Sequence, residues 1–356
     1  MSLPTDIKAV QAESQGKAII KTVSLPKLRP DYLLIRTTAI AVNPADWKHL
    51  EYGAGLAGTT VGCDYAGVVE EVGSDLSKPF KKGDRVSGFA HGSNKVQPED
   101  GAFAENCVAK AGVAFKIPDN ISDTEAVTLG LGIATVVQGL YRTLKLPLPT
   151  DPITEPATIL IYGGSTATGM LGVQYAKLSG FSVVTTCSPA NFDYVKLLGA
   201  DAVFDYTDPE RCVSNIRDFT QGSLKLAWDC VATPETASIC AGALSTDEES
   251  HYSSLLRVNA DDITTINSKV NMAVSVAYVS LGERFEEFGT VFEAQQEEYE
   301  FASMFFELSK RLLEEGKLKP ARQVTNKGGM GLVGALKGLE ESKLGSVRAA
   351  KLVYTL

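Results

Sequence analysis

The sequence has 356 residues, 44% hydrophobic and 22% charged, an ordinary globular composition with length for two domains. Its 43 acids against 34 bases give a formal net charge of −9 with no Lys/Arg cluster, which argues against nucleic acid as a partner. The apolar run Ala273–Val279 is about a strand long, far short of the ~20 residues that span a bilayer. The N-terminal MSLPTDIKAV carries no apolar signal core. The six cysteines, Cys63, Cys107, Cys187, Cys212, Cys230 and Cys240, are scattered without a CxxC or finger spacing. Free thiols in a reducing, cytoplasmic compartment are the simplest expectation.

The first third is dense in strand and turn signals. Lys17–Val23, Tyr32–Val42, Asp64–Val72 and Gly101–Ala109 read as strands, separated by turns at Gly73-Ser74-Asp75, Lys82-Gly83-Asp84 and Pro98-Glu99-Asp100-Gly101. Asn43-Pro44-Ala45-Asp46-Trp47-Lys48 reads as a turn after the second of these. Ser122 with Glu125 forms a capping box opening a helix, and Gly130 to Leu144 is helical in its later part. Four prolines in Leu146–Pro156 mark a loop or linker. An alternating α/β rhythm follows. Strands are expected at Ala157–Tyr162, Phe181–Cys187, Ala202–Phe204 and Leu224–Cys230, with helices at Asn191–Gly199, Pro209–Thr220 and from Pro234 to Cys240. Ser245–Asp262 is polar and shows no clear period. Glu293–Leu313 is a helix with Phe301, Phe305, Leu308 and Leu312 on one face. The tail offers a short helix and a closing strand, Ala350–Tyr354.

The run ATILIYGGSTATGMLGVQYAKLSG, Ala157–Gly180, carries the chemistry. A buried strand enters a tight turn, Gly163 and Gly164 let backbone approach a pyrophosphate, and Ser165, Thr166 and Thr168 can donate to it at a helix N-terminus. The loop after the next strand, Thr185-Thr186-Cys187-Ser188-Pro189-Ala190-Asn191, lacks the acid that usually holds the ribose diol of NAD. Ser188 and Asn191 can donate to a 2′-phosphate, so NADPH is the expected cofactor; the same residues also suit a plain helix cap. Lys48 can meet a cofactor phosphate, polarise a carbonyl, or simply face solvent. Thr135, in Gly132-Ile133-Ala134-Thr135, can hydrogen-bond substrate or nicotinamide, or cap a helix. Cys63 reads as a buried structural cysteine, His49 as able to reach a cleft, and His91, in a polar loop, as solvent-facing.

In order along the chain, Asn43-Pro44-Ala45-Asp46, Gly62-Cys63-Asp64-Tyr65-Ala66-Gly67, Gly83-Asp84-Arg85-Val86, Gly101-Ala102-Phe103-Ala104-Glu105, Gly163-Gly164-Ser165 and Gly199-Ala200-Asp201 resemble the medium-chain dehydrogenase/reductase superfamily. The Trp47-Lys48 pair, Gln97–Asp100, the Tyr162–Thr168 turn, Ser188–Asn191 and Phe204-Asp205-Tyr206 look closest to fungal trans-acting enoyl reductases of polyketide synthases. The resemblance implies an α/β protein: a β-rich GroES-like catalytic domain (1–145 with 318–356) interrupted by a Rossmann-type parallel-sheet domain (146–317) that binds NADPH, with the active cleft at their junction. Metal-dependent relatives place a cysteine near position 43 and a histidine near 63; Asn43 and Cys63 stand there, so no metal is expected.

The resemblance further implies that Gly163, Gly164, Ser165, Thr166, Ala167, Thr168, Ser188, Asn191 and Tyr206 hold NADPH, with Asn43, Asp46, Lys48, Val279, Ser280, Val347 and Arg348 completing its site. Thr128, Gly132, Ile133, Ala134 and Thr135 would meet substrate, and Lys48 with Thr135 would be catalytic. The implied reaction moves hydride to the β-carbon of an α,β-unsaturated thioester on an acyl carrier protein, by a monomeric enzyme. A stand-alone quinone or enone reductase and a non-catalytic nucleotide-binding scaffold are the alternatives.

Overall fold

The computed structural model describes residues 3–53 and 55–356; Met1 and Ser2 of the N-terminal run lie outside them. The chain divides into two compact units, Met1–Ala134 with Tyr278–Leu356, and Thr135–Ala277.

The second unit is a six-stranded parallel sheet in the order Ala202–Phe204, Ser182–Thr186, Thr158–Tyr162, Leu226–Asp229, Ser250–Ser254, Val270–Val274. Chain order reverses between Thr158–Tyr162 and Leu226–Asp229. Their carboxyl ends therefore frame the crevice where open α/β sheets bind ligands. Both central strands are apolar and buried on each face, as parallel strands must be when helices cover both sides. Trp228 is fully buried on Leu226–Asp229, and a Cβ on Gly172 would come within 2.5 Å of its ring. That glycine is what lets the helix Ala167–Leu178 lie so close to the sheet. The polar stretch after Leu244, unassigned by periodicity, supplies the strand Ser250–Ser254 and the start of a short helix, Asp261–Thr264. The last strand is an edge, with Asn271, Ala273 and Val274 exposed.

The first unit is an antiparallel-rich sheet in the order Gln323–Thr325, Lys351–Thr355, Tyr32–Ala41, Asp64–Val72, Arg85–Phe89, Ala114–Lys116, with Asn106–Lys110 pairing the start of Tyr32–Ala41. The tail strand returns to this sheet: Val353 pairs with Ala41 and Thr355 with Ala39. The helix Gln296–Glu314 packs here too. Phe306 stacks near Phe89 and Phe115, and the Tyr299 hydroxyl accepts the Gly112 amide at 3.1 Å. This helix's apolar face thus has its partners in the β-rich unit, which takes in Tyr278–Leu356.

Candidate active site

In the second unit the turn Gly163–Thr168 sits at the sheet's reversal point. Gly163 has φ +82°, a left-handed conformation that favours glycine. A Cβ on Gly164 would lie 2.1 Å from Thr185 Oγ1, so the turn can take this path only with glycine there. The Gly163 amide donates to Thr186 Oγ1 at 3.0 Å, and Gly164 to the Thr186 carbonyl at 2.9 Å. These bonds fix the turn against the neighbouring strand. Thr166 is the N-cap of Ala167–Leu178, its hydroxyl accepting the Gly169 amide at 2.9 Å. That hydroxyl is therefore a cap, while Ser165 and Thr168 are half-buried and their hydroxyls have no partner among the described residues. A glycine-tight turn with free hydroxyls over a helix N-terminus fits a dinucleotide pyrophosphate.

At the end of the adjacent strand, Asn191 Nδ2 donates to Ser188 Oγ at 3.2 Å, bringing the two expected phosphate donors together, both half-buried. Tyr206 lies nearby on the sheet's rim, its ring 6.3 Å from that of Tyr162. The Asp205 carboxylate accepts from the Thr207 amide and hydroxyl.

In the first unit, Asn43–Lys48 departs from expectation. Pro44–Tyr52 is a helix, not a turn. Asn43 is its N-cap, Pro44 sits in its first turn, and Asp46 Oδ2 accepts the Asn43 amide at 2.7 Å. Asn43 Nδ2 donates to Asp64 Oδ2 at 2.8 Å. Both residues expected at the cofactor are buried; Asn43 bonds Asp64, while Asp46 uses one carboxylate oxygen in the cap and its Oδ1 has no hydrogen-bond partner among the described residues. Asp64, at the end of the GCD motif, also accepts the Leu131 amide at 2.6 Å and meets Lys351 Nζ. One buried carboxylate thereby ties together Asn43, the start of the helix Gly130–Val136, and the closing strand.

Lys48 stands on the helix Pro44–Tyr52, half-buried, its ammonium 5.7 Å from the Trp47 ring. No ion pair or hydrogen bond holds it among the described residues, and burial lowers its pKa below the ordinary lysine value. Gly132, Ile133, Ala134 and Thr135 follow on Gly130–Val136, the first three buried and Thr135 half-buried. Thr128 does not present its hydroxyl: it donates to the Glu125 carbonyl at 2.7 Å and accepts the Ala321 amide at 3.3 Å. Val279 and Ser280 lie in the short helical turn Ala277–Leu281. Val347 packs on the β-rich core, and Arg348 is exposed with no ion pair among the described residues.

Sequence reasoning missed an aromatic and acid cluster around Cys63. The thiol lies 3.2 Å from the Tyr278 hydroxyl. His91 is buried, not solvent-facing, and stacks on the Tyr278 ring at 3.9 Å and 7°. His49 Nε2 meets Glu287 Oε1 at 2.8 Å. Tyr278 and Glu287 come from a distant segment, so no local motif announces them. The donor set does not fit a zinc ion. Asn43 is bonded to Asp64, Cys63 faces Tyr278, and no group of three metal-ligating side chains gathers among the described residues.

Residues 29–119 match the alcohol dehydrogenase GroES-like domain, and 167–297 match the zinc-binding dehydrogenase family. The chain is 49% identical to the trans-enoyl reductase TOXD of Cochliobolus carbonum over 80% of its length and 94% of the relative's. It is 42% identical to the trans-enoyl reductase resD of Aspergillus sclerotiorum over 98% and 99% of the two chains. A mycobacterial protein solved in complex with NADPH shares the fold at a TM-score of 0.75, with 19% identity over 98% of this chain and 100% of that one. Two domains in the family's order, a dinucleotide turn at the sheet reversal, and this identity along the whole chain lead to one assignment. The chain belongs to the medium-chain dehydrogenase/reductase superfamily and, within it, to the trans-acting enoyl reductases.

Proposed function

We propose that this enoyl reductase is NADPH-dependent and acts on α,β-unsaturated polyketide thioesters carried by the acyl carrier protein of a polyketide synthase or synthase–peptide synthetase hybrid. The observation that carries the reading is Lys48, a half-buried ammonium with no ion pair among the described residues. A compact ammonium without an internal partner is available to meet an anionic or polarised oxygen.

When bound, NADPH supplies the hydride that adds to the β-carbon. The protein's part is binding, orientation and charge. Gly163, Gly164, Ser165, Ala167 and Thr168 would hold the pyrophosphate, Ser188 and Asn191 the 2′-phosphate, and Tyr206 the adenosine end. Val279, Ser280, Val347 and Arg348 would close the nicotinamide end. As electrons move toward the thioester oxygen, the Lys48 ammonium stabilises the developing negative charge, and a donor fixed before reaction costs no reorganisation. Thr135 would orient the acyl group over Gly132, Ile133 and Ala134. Asn43 and Asp46 contribute through the shape of the helix they cap. The enzyme would act as a monomer in the cytoplasm, in keeping with six buried free cysteines and no helix among the described residues long and apolar enough to cross a membrane.

Turnover of a short α,β-unsaturated pantetheine thioester, followed by loss of nicotinamide absorbance beside NADH and a simple quinone, tests the reading. NADPH-dependent reduction of the thioester with little quinone activity is expected. Quinone turnover with both free and carrier-bound thioesters inert would replace it with a stand-alone quinone reductase.

A further inference from the structure

Hydride addition at the β-carbon leaves an enolate that needs a proton at the α-carbon, and Lys48 and Thr135 are assigned to other tasks. The first unit holds a buried chain of proton-bearing groups that nothing in the site yet uses. Tyr278, Cys63 and Asp46 are all buried, at 4%, 0% and 1% exposure. The Tyr278 hydroxyl and Cys63 Sγ are 3.2 Å apart. The Cys63 thiol lies beside the Asp46 carboxyl, whose Oδ1 has no partner of hydrogen-bonding geometry among the described residues. Such an orphaned buried oxygen is costly unless it has a function or a proton. At the far end, His49 is paired to Glu287 Oε1 at 2.8 Å, and the Glu287 side chain is 16% exposed. Asp46 lies three residues before His49 on the same short helix, and the His49–Glu287 pair reaches solvent at Glu287.

The phenol is held firmly. His91 stacks on its ring, and Phe285 meets both rings edge-on, 5.1 Å from His91 and 6.1 Å from Tyr278. Burial lowers the His91 pKa well below its ordinary value, so the stacking ring is neutral. Burial pushes the Tyr278 phenol and the Cys63 thiol well up, so both rest protonated. It raises the Asp46 carboxyl to about 6, although the hydrogen bond from the Asn43 amide to the carboxylate pulls it down. The charged or titratable neighbours of the chain are Asp64, His49 and Glu287. Tyr278 also immediately precedes Val279 and Ser280, the segment proposed for the nicotinamide end.

We infer that Tyr278, backed by Cys63 and Asp46, delivers the α-carbon proton. The inference rests on the thioester-reductase reading above. The β-carbon gains hydride and the carbon–carbon π pair moves onto the thioester as an enolate. A new α-carbon–hydrogen bond then forms as the Tyr278 oxygen–hydrogen bond breaks. The Tyr278 oxygen takes the Cys63 proton, and Cys63 is restored by a solvent proton that enters by way of Glu287 and His49 and passes through the Asp46 carboxyl. Thioester, NADPH and one solvent proton give saturated thioester and NADP+. A donor this fixed would protonate a single face of the enolate.

The test is reduction of an unsaturated pantetheine thioester in D2O, with the face of α-deuteration read by NMR and folding checked by circular dichroism. The native enzyme places deuterium on one face. Tyr278→Phe is expected to bind NADPH normally, to lose about 10²-fold in turnover, and to divide α-deuterium between the faces. Cys63→Ala is expected to raise the solvent isotope effect, and Cys63→Ser, which still carries a proton, to restore the native value. Native facial placement in Tyr278→Phe, or Cys63→Ala and Cys63→Ser behaving alike, would overturn the inference. Absence of hydrogen from NADPH at the β-carbon in the native enzyme would instead sink the underlying reading. If Tyr278→Phe does not fold, the two Cys63 variants decide.

Discussion

Lys351 Nζ and Asp64 Oδ2 form an ion pair with side chains only 3% and 0% exposed, joining the closing strand to the GCD motif. Asp64 simultaneously holds Asn43 and the amide of Leu131, so this pair fixes where the Lys48 helix and the Gly130–Val136 helix begin. Removing one partner of a buried pair strands a charge and costs ~3–5 kcal/mol. Lys351→Met is therefore expected to lose about that much stability by urea unfolding. Combined with Asp64→Asn it is expected to recover part of the loss. A Lys351→Met protein as stable as the parent would mean the pair anchors nothing.

Lys48→Met removes the unpaired ammonium without breaking any ion pair. Turnover of the thioester is expected to fall ~10²–10³-fold, the usual cost of losing a charge-stabilising donor. The melting temperature is expected to stay within about 2 °C of the parent, since no internal partner is orphaned. A fall confined to KM would assign Lys48 to binding rather than to the developing charge.

Gly164→Ala forces a methyl to 2.1 Å from Thr185 Oγ1. The turn must shift, and NADPH affinity measured by fluorescence quenching is expected to weaken by at least about 10-fold. Pairing it with Thr185→Ala makes room and is expected to return part of the affinity. In the neighbouring loop, Ser188→Asp sets a carboxylate where the 2′-phosphate would lie. It is expected to lower kcat/KM for NADPH and to leave that for NADH unchanged or improved. An unchanged cofactor ratio would place the 2′-phosphate elsewhere.

Much of the second unit was legible because its signals are local. The strand–turn–helix at Ala157–Gly180 is readable within a few residues, as is the Ser122–Glu125 box in the first unit, and both stand in the structure. The helix Pro44–Tyr52 was readable in principle. Asn43, Pro44 and Asp46 are an N-cap, a first-turn proline and a box partner, but Asn-Pro is equally a turn signal, so the local pattern alone does not choose between helix and turn. The Cys63 cluster was not readable. His91 sits in a polar loop but is buried against Tyr278 and Phe285, both remote in sequence. The Asp64–Lys351 pair is equally long-range. Periodicity can place Gln296–Glu314 as a helix, but not say which unit receives its apolar face.

Asp46 also makes stability depend on pH. Burial raises its carboxyl from 3.8 to about 6 in the folded chain. The folded state therefore binds this proton more tightly, and the associated stabilisation is full below about pH 4 and lost as pH rises through about 6. Asp46→Asn abolishes the term. Relative to the parent, the variant is expected to gain about 2–3 kcal/mol between pH ~4 and pH ~7.5 in urea unfolding. An identical difference between variant and parent at the two pH values would show that the carboxyl is not held protonated.

The most direct test of the account is the fate of the transferred hydrogen. The enzyme would be given NADPH deuterated at C4 of the nicotinamide and an α,β-unsaturated acyl chain on an acyl carrier protein, and the product analysed by mass spectrometry and NMR. The account predicts one deuterium from the cofactor, at the β-carbon, with the α-hydrogen drawn from solvent. Cofactor deuterium at any other carbon, or none transferred while a quinone is reduced, would contradict it.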